Sequence, residues 1–405
     1  MNIKRKISGI LTLAMLLSLT ACDGNPTAEN TAIPTESAGV TDTVQADSSD
    51  EPSAEESAKA EEQQRQEAEK EEQERQKAEQ EQQAAARETA EWQKDLIATS
   101  NTFPEEYSFA SLKGPTTMGM VKMMSDSEKG ETFNKYNVSI YGAADEIVAG
   151  VVSGSTDIAN VPANLAAVLY NKTEGNICVC DVNTLGVLYI VAINEEINSI
   201  EDLRGKTVYS TGKGTTPEYV LNYILRQNGL EPQTDVTIEY KTEASECAAV
   251  MAESESGIAV LPQPYVTAAM KQNDAIQIWL SLTDEWNKVS DTPLITGVTI
   301  AQKKAVSRNW GAFHIFLDEY AASVDYVNAN NDEAAALIGG YDIIAEPVAK
   351  VALPLCNITL LRDDEMINAV NGYWNVLFEA DPTAVGGTVP DREAFYTSAF
   401  ADGNE

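Results

Sequence analysis

Ser199–Leu230 reads SIEDLRGKTVYSTGKGTTPEYVLNYILRQNGL, and this stretch decides the fold. Lys206–Ser210 (KTVYS) is expected to be a short buried strand, followed by the small-residue turn Thr211-Gly212-Lys213-Gly214-Thr215-Thr216. Pro217 stands at a first helical position and Glu218 in the first turn, where each favours a helix start. Val220, Leu221, Ile224 and Leu225 then recur at helical spacing until Asn228-Gly229 closes the helix. Strand, glycine turn and helix together present free backbone N–H groups at a helix N-terminus, a place for an anion or a polar small molecule. The same arrangement also serves to build any α/β unit. It is not a Walker A loop, because Gly212-Lys213 is followed by Gly214 and not by Ser or Thr. It is not a dinucleotide fingerprint either, because Pro217 stands where the last glycine belongs.

Working outward, the same unit recurs. Ser108–Leu112 predicts a strand that runs into Gly114-Pro115-Thr116-Thr117-Met118-Gly119 and a Met-rich helix start. That methionine run reads as core filling. Tyr136–Tyr141 alternates as a strand, and helical spacing follows at Ile147, Val148, Val151 and Val152. Asp157–Pro162 (DIANVP) is a strand end meeting a helix at Ala163-Asn164. Leu185–Ala192 (LGVLYIVA) is expected as one continuous apolar strand crossing between two lobes, and Thr296–Ala301 as a second. Val236–Tyr240, Ser245–Ala252 and Gly257–Leu261, then Pro262-Gln263-Pro264-Tyr265, continue the alternation. Helical patterns fill Phe313–Val327, Asp332–Gly339, Pro347–Leu353 and Asp364–Phe378. Strands alternating with helices predict an α/β architecture.

The N-terminal quarter is different. Lys4, Arg5 and Lys6 precede an apolar core, Ile10–Leu19, that ends in Leu19-Thr20-Ala21-Cys22. This resembles the lipobox of bacterial lipoproteins, which implies a signal peptide over 1–21, cleavage before Cys22 and lipidation of its sulfur; an ordinary secretory signal is the alternative. Several acyl chains would anchor the chain stably to a membrane. Residues 22–53 cannot bury a core and are expected to be a disordered linker. Residues 54–95 are rich in Glu, Gln, Ala, Lys and Arg, with Glu61–Arg65 and Glu71–Arg75 at helical spacing. Without apolar heptads they read as a solvated helical stalk, reaching on the order of 60 Å at 1.5 Å per residue, or as disorder.

The formal net charge of −35 argues against a nucleic-acid partner. Of the five cysteines, Cys178 and Cys180 lie in the strand-like run ICVCDV and are expected to point to opposite faces and not to pair. With Cys247 and Cys356 they offer no zinc-type spacing, so free buried thiols and no metal are expected. His314, followed at i+4 by Asp318, is the single histidine and is expected in a plain helical position, which leaves little room for a catalytic triad.

Four segments carry a wider resemblance: GPTTMG from Gly114, SGSTDIANVPAN from Ser153, INSIEDLRGKTVYSTGKGTTPEYVL from Ile197 and LPQP from Leu261. In that order they resemble the substrate-binding lipoproteins of ABC importers, in the nitrate/sulfonate/taurine and thiamine-precursor group, and the resemblance runs from Phe103 onward. It implies a type 2 periplasmic-binding-protein fold, α/β, with two lobes joined by two crossing strands: 103–192 with 297–405, and 193–296. It implies a cleft receiving Pro115, Thr116, Thr117 and Met118; Pro162, Ala163 and Asn164; Gly212, Lys213, Gly214, Thr215 and Thr216; and Pro262, Gln263 and Pro264. Trp286 and Tyr265 are expected to stack on a planar ligand or to belong to the core. The expected role is extracytoplasmic capture of a small polar or anionic solute for an ABC permease and its ATPase, without catalysis and without a cofactor. A sensory or scaffold lipoprotein on the same fold is the alternative.

Overall fold

The computed structural model describes Lys70 and residues 102–398. The signal segment, Cys22, the linker and the stalk, apart from Lys70, lie outside the described residues. Lys70 is helical and exposed.

The alternation predicted from the sequence is present. β1 (Glu106–Leu112), α1 (Pro115–Met118), α2 (Val121–Lys129), β2 (Lys135–Tyr141), α3 (Ala144–Ser153), β3 (Ile158–Pro162) and α4 (Ala163–Lys172) come first. β4 (Ile177–Leu185) and β5 (Leu188–Ile193) follow, then β6 (Thr207–Thr211), α5 (Thr216–Gln227), β7 (Thr237–Lys241), α6 (Ala244–Glu253), β8 (Gly257–Pro262), α7 (Tyr265–Gln272), β9 (Gln277–Ser281) and α8 (Leu282–Asn287). β10 (Ile295–Gln302), α9 (Lys303–Arg308), α10 (Trp310–Ala329), α11 (Asn331–Gly340), α12 (Glu346–Ala352), β11 (Ile358–Leu361) and α13 (Asp363–Ala380) complete the fold.

Two sheets result, ordered β11-β4-β10-β3-β1-β2 and β7-β6-β8-β5-β9. They share a plan. In each, three parallel strands with the first in sequence at the middle (β2-β1-β3 and β7-β6-β8) meet an antiparallel strand that came from the other sheet, β10 or β5. Crossover helices are what parallel strands require, and they cover faces that read as near-continuous apolar runs, such as fully buried IANVP in β3.

The expected crossing strand Leu185–Ala192 is two strands. β4 ends at Leu185 in the first sheet and β5 begins at Leu188 in the second, so the sheets part at Gly186-Val187 and not after Ala192. Periodicity alone cannot show the break, because Val187 and Leu188 are as buried as the strands beside them. Gly186 allows it: a Cβ there would sit 2.2 Å from Thr283 Oγ1 and 3.0 Å from Leu294 Cδ2, atoms of the return crossing. The two crossings therefore lie side by side.

The cysteine expectation is also corrected. Cys178 and Cys180 share a face, with Sγ atoms 4.0 Å apart, as residues two apart on a strand do. Both are buried free thiols, as are Cys247 and Cys356. His314 lies on α10 with its ring stacked against Trp310 at 5.6 Å.

Candidate functional site

Each sheet ends its parallel strands at helix starts, and all six of these junctions open on one cleft of about 470 Å³. From the first sheet come Leu112–Thr116 (β1 to α1), Gly142–Asp145 (β2 to α3) and Pro162 with Leu165 (β3 to α4). From the second come Thr211–Pro217 (β6 to α5), Lys241, Thr242 and Ala244 (β7 to α6), and Pro262 with Tyr265 (β8 to α7). The crossings add Val187, Leu188 and Thr296. Carboxyl ends of parallel strands are where open α/β sheets bind ligands, and helix starts turn unpaired N–H groups toward that space.

The β6–α5 loop is shaped by its glycines. Gly212 and Gly214 have φ of +69° and +76°, a region that L side chains rarely adopt. Gly212 O accepts from Thr215 N at 2.9 Å and from Thr215 Oγ1 at 2.6 Å, which folds the loop onto itself. The Glu218 carboxylate accepts from Gly214 N. On the other side, Gly297 of β10 lets α1 come close: a Cβ there would lie 2.4 Å from Thr116 Cγ2.

Charge in the cleft comes mainly from Lys113, Lys213 and Lys241, against Asp145. Each lysine is only loosely held. Lys113 Nζ is 3.4 Å from Asp342, Lys241 Nζ is 3.9 Å from Glu239, and Lys213 Nζ lies 5.9 Å from the Tyr240 ring centroid. Exposed pairs of this kind contribute about 0–1 kcal/mol. Leu112, Val148, Leu165, Val187 and Leu188 supply an apolar wall. The Thr296 hydroxyl is buried and has no partner among the described residues. Burial pushes the Tyr265 hydroxyl, which reaches Lys113 O at 3.5 Å, up to about 12.

The structure sorts the expected site residues. Pro115, Thr116, Pro162, Gly212, Lys213, Gly214, Thr215 and Thr216 line the cleft, as do Pro262 and Tyr265. Thr117, Met118, Ala163, Asn164, Gln263, Pro264 and Trp286 do not. Met118 is a buried core residue, and Thr117 donates its hydroxyl to Ser111 Oγ at 2.7 Å. Ala163 O accepts from Trp374 Nε1 at 2.8 Å. Asn164 Nδ2 donates to Ala384 O at 3.1 Å and to Gly214 O at 3.3 Å, so it faces protein. Gln263 Oε1 accepts from Thr267 Oγ1 at 2.9 Å. Trp286 is fully buried between Tyr223 and Tyr373, with ring centroids 4.9 and 5.5 Å away, and donates Nε1–H to Thr292 O at 2.7 Å. An indole satisfied in this way has no face left for a ligand.

Sequence reasoning missed the β2–α3 and β7–α6 corners. Both carried a signal: a strand ends at Tyr141 before Gly142, and another at Lys241 before Thr242, with Glu146 and Glu246 placed to bind back to Ala143 N and Thr242 N.

Residues 131–307 match the family described as "ABC transporter, phosphonate, periplasmic substrate-binding protein". No curated protein matches the chain at a significant level. Among solved structures, an ABC transporter protein from Parabacteroides distasonis is similar over 74% of this chain and 100% of its own, with TM-score 0.59 and 21% identity. The aliphatic sulphonate binding protein SsuA from Escherichia coli is similar over 73% and 92%, with TM-score 0.58 and 17% identity. The nitrate-binding protein NrtA from Synechocystis PCC 6803 is similar over 66% and 76%, with TM-score 0.53 and 12% identity. These likenesses show the type 2 periplasmic-binding fold. The family match over residues 131–307 falls within the part of the chain that carries this fold.

Proposed function

We propose that the cleft captures a small organic oxyanion, a sulfonate or phosphonate carrying an apolar body, for import. The observation that carries this reading is the convergence of six strand-to-helix junctions on one space with both basic and apolar walls. Helix starts and lysines favour an oxyanion head. The wall of Leu112, Val148, Leu165, Val187 and Leu188 favours carbon beyond that head, which a bare inorganic anion lacks. The structural neighbours named for sulfonate and nitrate are consistent with the oxyanion part.

Capture needs no bond chemistry. The first-sheet and second-sheet corners would close on the solute, expel water and so strengthen each hydrogen bond to it. The closed domain would then be the form a permease accepts. Cys22 would hold the protein by lipid at the outer face of the cytoplasmic membrane, with residues 54–95 as its stalk. No helix among the described residues is long and apolar enough to cross a membrane.

The test is native mass spectrometry of the protein, followed by thermal shift against alkanesulfonates, alkylphosphonates, nitrate and pyrimidines. A ligand at ~1,000 times its Kd stabilises by about 4 kcal/mol. A strong shift from an organic sulfonate or phosphonate supports the reading. A preference for nitrate or a neutral pyrimidine over both overturns it.

A further inference from the structure

A chain of buried polar side chains reaches the cleft from inside the first sheet. Asp181 on β4, Thr299 on β10 and Asn160 on β3 are register partners on three neighbouring strands, and all three are fully buried. A register shift between Thr299 and Ile300 inserts an extra β4 residue just before Asp181, the kind of bulge that re-aims a side chain. Thr299 Oγ1 lies 2.7 Å from Asp181 Oδ1 and 2.8 Å from Asn160 Oδ1, and Asn183 Nδ2 donates to it at 3.1 Å. At the other end, Asn160 Nδ2 donates to Thr116 O at 2.7 Å and to Ser111 Oγ at 3.2 Å. Those last links hold the first turn of α1, whose Thr116 lines the cleft.

The protons in this chain can be counted. A threonine hydroxyl has one. Two oxygens, Asn160 Oδ1 and Asp181 Oδ1, stand within hydrogen-bond distance of it, and an ionised carboxylate has no proton to give. With Asp181 charged, one of the two contacts would be oxygen against oxygen. Reversing the Asn160 amide does not help, since it would aim Oδ1 at the Thr116 carbonyl. A proton on Asp181 Oδ1 satisfies every link: Asp181 donates to Thr299, Thr299 to Asn160, and Asn160 to Thr116. The other carboxyl oxygen, Asp181 Oδ2, has no partner among the described residues that would favour a charge.

We propose that Asp181 is held as a neutral acid whose proton completes this chain and fixes the first turn of α1, and that its ionisation loosens the turn and weakens solute capture. Burial, the largest cause, supports it by pushing the carboxyl from its ordinary 3.8 up to about 7, against the Thr299 hydrogen bond and the Arg362 charge. The ionisable groups acting with it are Cys180 on its own strand, Tyr320 on α10, and Arg362 just past β11. Arg362 is itself engaged with Asp318 at 3.3 Å. Thr299 on β10 and Asn160 on β3 carry no charge. The effect on capture rests on the function proposed above; the proton and the α1 turn do not.

The test compares wild type with Asp181→Asn at about pH 6 and about pH 8.5, by infrared spectroscopy and by hydrogen exchange corrected for intrinsic rate. Wild type should show the carbonyl stretch of a protonated carboxylic acid at the lower pH only, and the variant should lack it. Exchange at Thr116–Met120 should rise about tenfold with pH in wild type and stay flat in the variant, whose amide donates to Thr299 at either pH. Thr299→Val, a second probe if Asp181→Asn folds poorly, should keep the band and raise exchange at both pH values. Absence of the band, or the same pH response in wild type and Asp181→Asn, overturns the proposal. If band and exchange behave as expected while the affinity for methanesulfonate, which does not titrate in this range, stays flat, the link to capture is overturned and the proton assignment stands.

Discussion

Asn164 Nδ2 donates to the Gly214 carbonyl at 3.3 Å, so a side chain at the start of a first-sheet helix holds the glycine loop of the second sheet. The same amide group reaches Ala384 O at 3.1 Å, and Thr216 Oγ1 stands 3.5 Å from Asn164 Oδ1. Asn164 is thus a tie between loops that line the cleft, placed behind the space a solute would fill.

Asn164→Ala should leave the buried Ala384 carbonyl without its donor and untie the Gly214 carbonyl, at about 1–3 kcal/mol of stability. Solute affinity should fall about tenfold because the Gly212–Thr216 loop loses its brace. Calorimetric melting and titration read the two effects separately. An unchanged affinity would mean that the loop holds its shape alone.

Gly212 and Gly214 should respond differently to the same change. A Cβ on Gly212 would lie 2.6 Å from Thr215 Oγ1 and 3.0 Å from Pro217 Cγ, whereas Gly214 has nothing within 4 Å. Gly214→Ala should cost only the about 1–2 kcal/mol of a left-handed alanine. Gly212→Ala should cost more and displace the α5 start, and Gly212→Asp should abolish capture by adding a charge. Binding curves for the three variants check the order.

Trp286→Ala should remove about 3–5 kcal/mol of stability, as large-to-small core changes do. Trp286→Phe should cost less and leave solute affinity per folded molecule unchanged. A selective loss of affinity in the phenylalanine variant would put the indole back at the ligand.

The sign of the pH effect on stability follows from Asp181. Its folded value, about 7, lies above its ordinary 3.8, so the folded chain holds a proton that the unfolded chain releases. That contribution is complete below about pH 4, is lost as pH rises toward 7, and is absent above it. Asp181→Asn should therefore melt higher than wild type at pH 8, and the advantage should shrink toward pH 4. Melting temperatures across that range decide it.

Lys213→Gln should weaken binding of an anionic solute several-fold at low salt and less at high salt, because the ammonium is exposed and screened. Equal loss at both ionic strengths would point to a desolvated contact instead.

Much of the fold was legible because its parts are local. The turn TGKGTTPE states a strand end, a left-handed loop and a helix start in eight consecutive residues. The expected site residues that line the cleft, Thr116 and Lys213 among them, come from strand-to-helix turns. What was not legible is set by distance through space. Asn164 and Gln263 stand beside cleft residues in sequence, yet their amides turn inward to Ala384 O and Thr267 Oγ1. Trp286 follows a strand, but the aromatic neighbour Tyr373 that seals it arrives from α13. The β4–β5 break was hidden because Gly186 is demanded by Leu294 and Thr283, residues on another strand's approach. Asp181 gave no signal at all in ICVCDV, since its burial depends on β10 and α10.

The placement of the chain ends has a mechanical consequence. β1, the first strand, lies in the first sheet, and the last described segment returns to that sheet, where Tyr396 N donates to Val179 O at 2.9 Å. The second sheet is reached and left through the adjacent crossings near Gly186 and Leu294. A pull applied between residues 102 and 398 therefore runs through the first sheet alone. The second sheet lies off that load path, tied to its neighbour by side chains such as Asn164 and Trp286 and not by a strand under tension.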